Sequence, residues 1–104
     1  MPEPLFRPAA IDDLVRAWAG IHATEGREAG IAFEKKVLTI CRALAHHPAT
    51  AFLDYSTMLP VQFVALRNFT VPGYGYTILF LEREDAIDVL RIIPNDRLPA
   101  KARR

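Results

Sequence analysis

The apolar residues of this chain change period along its length, and each change marks a new element. Residues 4–8, PLFRP, read as a short first strand ended by Pro8, which has no N–H to give to a sheet ladder. From Ile11 the period becomes helical. Ile11, Leu14, Val15, Trp18 and Ile21 (or His22) recur at i, i+3, i+4 and i+7, one stripe of an amphipathic helix. Residues 23–30, ATEGREAG, interrupt that stripe, and a second helix is expected to start near Arg27. Ala29, Phe33, Val37, Ile40, Cys41 and Leu44 line its apolar face, with Glu34, Lys35 and Arg42 off it. It should end at His46-His47-Pro48, because the residue before a proline is pushed out of the α region. Two helices joined by a short turn make an αα-hairpin.

Beyond an irregular but apolar connection over 48–61, strands are expected at 62–69, 76–81 and 86–93, with Glu82-Arg83-Glu84-Asp85 closing the last hairpin. Pairing Leu81 with Ala86 sets Tyr76, Ile78 and Phe80 opposite Arg91, Val89 and Ile87 on one face. The other face carries Thr77, Leu79 and Leu81 against Leu90, Asp88 and Ala86, with Ile92 beyond. Helices that precede the sheet, with none after it, cover one side only. The face of Ile78, Phe80, Ile87 and Val89 lacks Thr77 and Asp88 and is the expected core. The second face keeps a skin of leucines, and contiguous apolar surface of that kind marks a partner site. The expected fold class is α+β: a short N-terminal strand and an αα-hairpin packed on one face of a small antiparallel sheet.

Composition fits that picture. A chain of 104 residues suits one domain, taken as 1–104 with a flexible basic tail at 98–104. Apolar residues at 51% and charged ones at 24% belong to a globular chain with a core of its own. Thirteen basic against twelve acidic side chains, a net charge of +1, argue against a non-specific nucleic-acid binder coated in positive charge. Cys41 is the single cysteine, so no intrachain disulfide forms, and a small buried hydrophobe is its expected role. No apolar run reaches the roughly 18 residues of a membrane span. Met1-Pro2-Glu3-Pro4 lacks the basic and apolar regions of a secretory signal, and a cytoplasmic location is expected.

Candidate chemistry is sparse. Asp12 and Asp13 are adjacent, so on a helix they point about 100° apart and make a poor acid/base pair. A favourable place in the first turn, against the helix dipole, is the expected reason for them. His46 and His47 diverge in the same way and have no metal-binding partner at i+4. Asp54, Ser56 and a histidine lack the Gly-x-Ser-x-Gly elbow of a hydrolase triad. The densest glycine region, PGYG at 72–75, punctuates strands and cradles no phosphate. No metal, cofactor, small-molecule ligand or membrane is expected.

The stretch 66–99, LRNFTVPGYGYTILFLEREDAIDVLRIIPNDRLP, resembles the ParE branch of the RelE/ParE toxins of type II toxin–antitoxin modules, the plasmid-stabilisation type. Members read Val-x-Gly-(Phe/Tyr), Tyr-x-Ile-x-Tyr, an acidic turn, then Ile-x-Val-x-Arg-Val-x-His-Gly-x-Arg-Asp. This chain supplies Val71, Gly73, Tyr74, Tyr76, Ile78, Phe80, Ile87, Val89, Arg91 and Arg97. Residues 7–21, RPAAIDDLVRAWAGI, look like the family's first helix, and the close of the second helix from Leu44 to Pro48 is similar too. The resemblance implies a helical hairpin on a small sheet and a cognate antitoxin covering apolar surface, with Leu79, Leu81, Leu90 and Ile92 as expected contacts.

The departures from the pattern narrow the activity. Ribonuclease members cut mRNA on the ribosome with a basic residue on the middle strand and an Arg, His or Tyr near the C-terminus. RNA cleavage by a 2′-hydroxyl needs a base, an acid and cationic stabilisation of the phosphorane. Thr77 holds the middle-strand position here and Pro94 that of the histidine; no tyrosine follows Tyr76 and no histidine follows His47. The ParE branch instead inhibits DNA gyrase by binding, which requires no catalytic side chain. Arg67, Arg91, Arg97, Lys101, Arg103 and Arg104 are the expected target contacts, with a structural role for Arg91, on Tyr76 or on a helix carboxylate, as its alternative. A ribosome-dependent mRNA endoribonuclease of the RelE type, or an inactive toxin-fold binding module, remain the competing readings.

Overall fold

The computed structural model describes residues 3–48, 52–53 and 65–97. The elements run β1 (Glu3–Phe6), α1 (Pro8–Glu25), α2 (Arg27–His46), β2 (Phe52–Leu53), β3 (Ala65–Val71), β4 (Tyr76–Glu82) and β5 (Ala86–Pro94), followed by a 3-10 turn at Asn95–Arg97. Pro8 opens α1, where its missing N–H costs nothing. Gly26 separates the helices at φ 101°, a left-handed backbone that a side chain would strain. α2 stops at His46, two residues before Pro48, as the sequence predicts.

The strands form one sheet in the order β1-β5-β4-β3-β2. β2 to β5 are mutually antiparallel neighbours, and β1 joins β5 in parallel, with Glu3 opposite Ala86 and Phe6 opposite Val89. Both helices pack on one face of it. That face contributes Val71, Ile78, Phe80, Ile87, Val89 and Ile92 to the core, and the helices contribute Ala10, Ala17, Ile21, Phe33, Val37, Cys41 and Leu44. Burial pushes the Cys41 thiol up to about 12, so it behaves as the small hydrophobe expected of it.

The β4–β5 register differs from the simple pairing. Leu81 lies opposite Asp88, not Ala86, a shift of two residues. Because side chains alternate, a shift of two leaves every residue on its expected face. A β-bulge then intervenes: Phe80 pairs with Val89 and Leu79 with Arg91, leaving Leu90 without a partner. One extra residue reverses the facing of β5 beyond it. Ile92, expected on the outer leucine face, therefore sits opposite Ile78 at 1% exposure in the core.

The larger difference is the rotation of α1. Ala10, Asp13, Ala17 and Ile21 face the sheet, while Ile11 and Val15 of the bulky stripe remain exposed. Two physical causes act together. Alanine at positions 10 and 17 lets the helix axis approach the strands closely. Asp13 then fastens it: its carboxylate accepts from Arg91 Nε at 2.7 Å, Arg91 Nη2 at 3.0 Å and the Ile92 backbone N–H at 2.9 Å. Asp13 thus lies in the second turn of α1 and locks helix to sheet, where only a dipole role was expected of it.

The helices also approach each other closely. A Cβ on Gly30 would stand 3.0 Å from Trp18 Nε1, 3.1 Å from Cδ1 and 3.4 Å from the Trp18 carbonyl oxygen. Gly30→Val should therefore destabilise the protein by about 1–3 kcal/mol through overpacking, outweighing a gain in helix propensity below about 1 kcal/mol. Urea denaturation of the two proteins measures the difference.

Candidate functional site

Three surfaces carry the residues singled out above. The first is the outer face of the sheet, away from the helices. Leu79, Leu81 and Leu90 are half-buried there. The polar residues between them, expected to face water, are instead the buried ones: Thr77 is 1% exposed and Asp88 4%. Thr77 Oγ1 donates to Asn95 Oδ1 and lies 3.4 Å from Thr70 Oγ1. Asp88 accepts from Arg7 Nη2 at 3.0 Å and from Arg83 Nε, so the first connection and the last hairpin both close on it. Burial alone would raise its pKa, but hydrogen bonds from Arg83 and Arg7 and their charges outweigh that and lower it.

The same network answers where a ribonuclease centre would sit. Pro94 lies opposite Tyr76, and Asn95 N–H donates to the Gly75 carbonyl at 2.8 Å. A hydroxyl, a pyrrolidine ring and an amide thus occupy the end of the β4–β5 ladder, and none of them exchanges a proton near neutral pH. Among the described residues the histidines, His22, His46 and His47, all lie on or just after the helices. No group of three metal-ligating side chains forms among the described residues.

The second surface is cationic. Arg91 belongs to the Asp13 lock, the helix carboxylate alternative foreseen for it, and Asp13 raises its pKa. Arg67 pairs with Glu82 at 2.7 Å. Arg97 is exposed on the 3-10 turn, close to Arg16 of α1. Lys101, Arg103 and Arg104 lie outside the described residues, as does most of the connection over 48–61.

The third surface is the bulky apolar stripe of α1, of which Ile21 enters the core and Leu14 packs against it. Ile11 is 48% exposed and Val15 59%, and Leu14, Val15 and Trp18 line a shallow groove whose rim carries Glu34 of α2. Trp18 stacks on His22, ring centroids 5.0 Å apart, extending the stripe along α1. Leu5, 51% exposed on β1, is the other large exposed apolar residue among those described. The available signal was the competing stripe Ala10, Asp13, Ala17 and Ile21, equally periodic but small and interrupted by a charge.

No protein-family model matches the chain, and no curated protein matches it. Among solved structures it is similar to a chain described as "Chromosomal ParDE TA system from P. aeruginosa". The identity is 17%, the TM-score 0.72, and the match covers 90% of this chain and 96% of that one. No helix among the described residues is long and apolar enough to cross a membrane. A parallel N-terminal strand, a helical hairpin on one face of a mixed sheet and a match over nearly the whole of that chain make the fold of this protein ParE-like.

Proposed function

We propose that this chain is the toxin of a type II toxin–antitoxin pair, acting as a ParE-like binder of DNA gyrase and neutralised by an antitoxin docked along α1. The stripe of exposed Ile11 and Val15 flanked by half-buried Leu14 and Trp18 carries the reading. A small folded protein that presents several large apolar side chains in one row covers them with a partner. The groove suits an amphipathic helix with anchors at i, i+3, i+4 and i+7, and Glu34 at its rim favours a basic residue beside them. Leu79, Leu81 and Leu90 form a second contact in this reading; Ile92, enclosed in the core, does not. Inhibition by binding also agrees with Thr77, its hydroxyl bonded to Asn95, and Pro94 standing where a ribonuclease would keep its proton-transfer groups.

Induced expression in a susceptible bacterium without the antitoxin tests the activity. DNA-damage response, filamentation and loss of gyrase supercoiling by the purified protein are the expected results. Codon-positioned mRNA cuts would replace this reading with the ribonuclease one, and unimpaired growth with the inactive binding module. For the docking surface, Val15→Glu should keep toxicity while weakening antitoxin affinity about tenfold or more, since a buried anchor of this size is worth about 1.5–3 kcal/mol.

A further inference from the structure

Beside the C-terminal end of β5, α1 and the sheet leave a cleft whose lining includes Asp13, Arg16, Tyr76, Pro94 and Arg97. Its charge balance is uneven. Asp13 is the single anion of that lining, and both of its oxygens are taken, by the Arg91 guanidinium and the Ile92 N–H. Arg91 holds it by direct bonds, and Arg16 adds a favourable charge from farther away. Arg16 and Arg97 are left as surplus positive charge, and neither donates a hydrogen bond or ion pair to a described residue. An aromatic ring and a proline ring share that lining with them. Tyr76 is half-buried with its inner side against Phe33, centroids 5.3 Å apart, which fixes the floor in place.

We propose that this cleft receives the carboxylate side chain of a docked polypeptide. Its methylene stem rests on Tyr76 and Pro94, and Arg16 and Arg97 donate to its oxygens. The chemistry follows from guanidinium geometry, whose planar donors match a carboxylate, and from the amphipathic lining, which matches a glutamate stem. The cleft holds about 120 Å³, the scale of one side chain and well below the pockets of about 300 Å³ and more that hold small-molecule ligands. Nucleic acid is disfavoured by charge, since backbone binding draws on a row of phosphate contacts and this protein carries a net charge of only +1.

Titration of the full-length, nitrogen-15-labelled protein with N-acetyl-glutamate amide, followed by NMR, tests the assignment. Saturable shifts are expected at the Arg16 and Arg97 Nε–H groups and at the Tyr76 ring, with the neutral glutamine analogue giving none. Arg16→Gln and Arg97→Gln should each weaken the interaction about tenfold, the loss expected for one charge-assisted partner. Arg27→Gln, away from the cleft lining, should leave it unchanged. Both cleft variants replace exposed side chains, so the fold is retained. Several results would overturn the proposal: equal shifts with the glutamine analogue, undiminished binding in both cleft variants, or a response to inorganic phosphate or a short oligothymidylate but none to the carboxylate. The probe is a single amino acid derivative, so the outcome does not depend on whether the protein is a toxin.

Discussion

Replacing Asp13 by alanine should cost about 2–4 kcal/mol, a large share of the roughly 5–15 kcal/mol that holds a domain of this size together. Two losses combine. The Ile92 N–H becomes a buried donor without an acceptor, worth about 1–3 kcal/mol. The charge-assisted bonds from Arg91 also disappear, and their worth is discounted because that side chain is 48% exposed and regains water. Urea denaturation at neutral pH measures the sum, and a loss below about 1 kcal/mol would contradict the lock. Acid should reveal the same contact. Burial alone would raise the Asp13 pKa, but hydrogen bonds from Arg91 and Ile92, with the charges of Arg91 and Arg16, lower it below its ordinary value of 3.8. A depressed folded pKa gives stability that is complete above the unfolded value and lost as pH falls through the folded one. Wild-type stability should therefore fall below pH 3.8 more steeply than that of Asp13→Ala. Asp88, lowered in the same direction, should leave the variant a residual slope.

The second large effect is expected at Phe33. It is fully buried, packed edge-on against Tyr74 at 5.0 Å and tilted against Tyr76 at 5.3 Å, at the seam between α2 and the sheet. Phe33→Ala should cost about 3–5 kcal/mol, the lost transfer free energy plus the cavity left between two rings that cannot collapse together. Phe33→Leu fills most of that volume and should recover the greater part of the loss. Comparison of the denaturation midpoints distinguishes this from a general intolerance of substitution in α2. If the two variants proved equally unstable, cavity formation would not be the cause.

Much of this architecture was legible in the sequence, for reasons specific to each element. Gly26 and Pro48 bound the helices because one supplies positive φ and the other excludes the α conformation before it. The buried face of the last hairpin was recoverable even with the register two residues off, since Ile78, Phe80, Ile87 and Val89 keep their parity. Three features were not. The bulge at Leu90 has no glycine to mark it, so Ile92 was assigned to the wrong face. The facing of α1 differs because hydrophobic size and packing diverge there: alanines and a paired aspartate make the tight contact with the sheet, and Ile11 and Val15 look outward. The pairing of Arg91 with a helix carboxylate was one of its two expected roles, but the place of Arg16 depended on that rotation, so the α1 groove and the carboxylate cleft could not be placed from spacing alone.

The parallel pairing of β1 with β5 brings residue 3 beside residue 86. During synthesis the first strand has no neighbour until β5 has been made. The helical hairpin likewise waits for β5, which supplies Ile87, Val89, Ile92 and the Arg91 end of the lock. Contacts of such sequence separation delay folding. A nascent chain on the ribosome must therefore hold an unroofed αα-hairpin until β5 emerges.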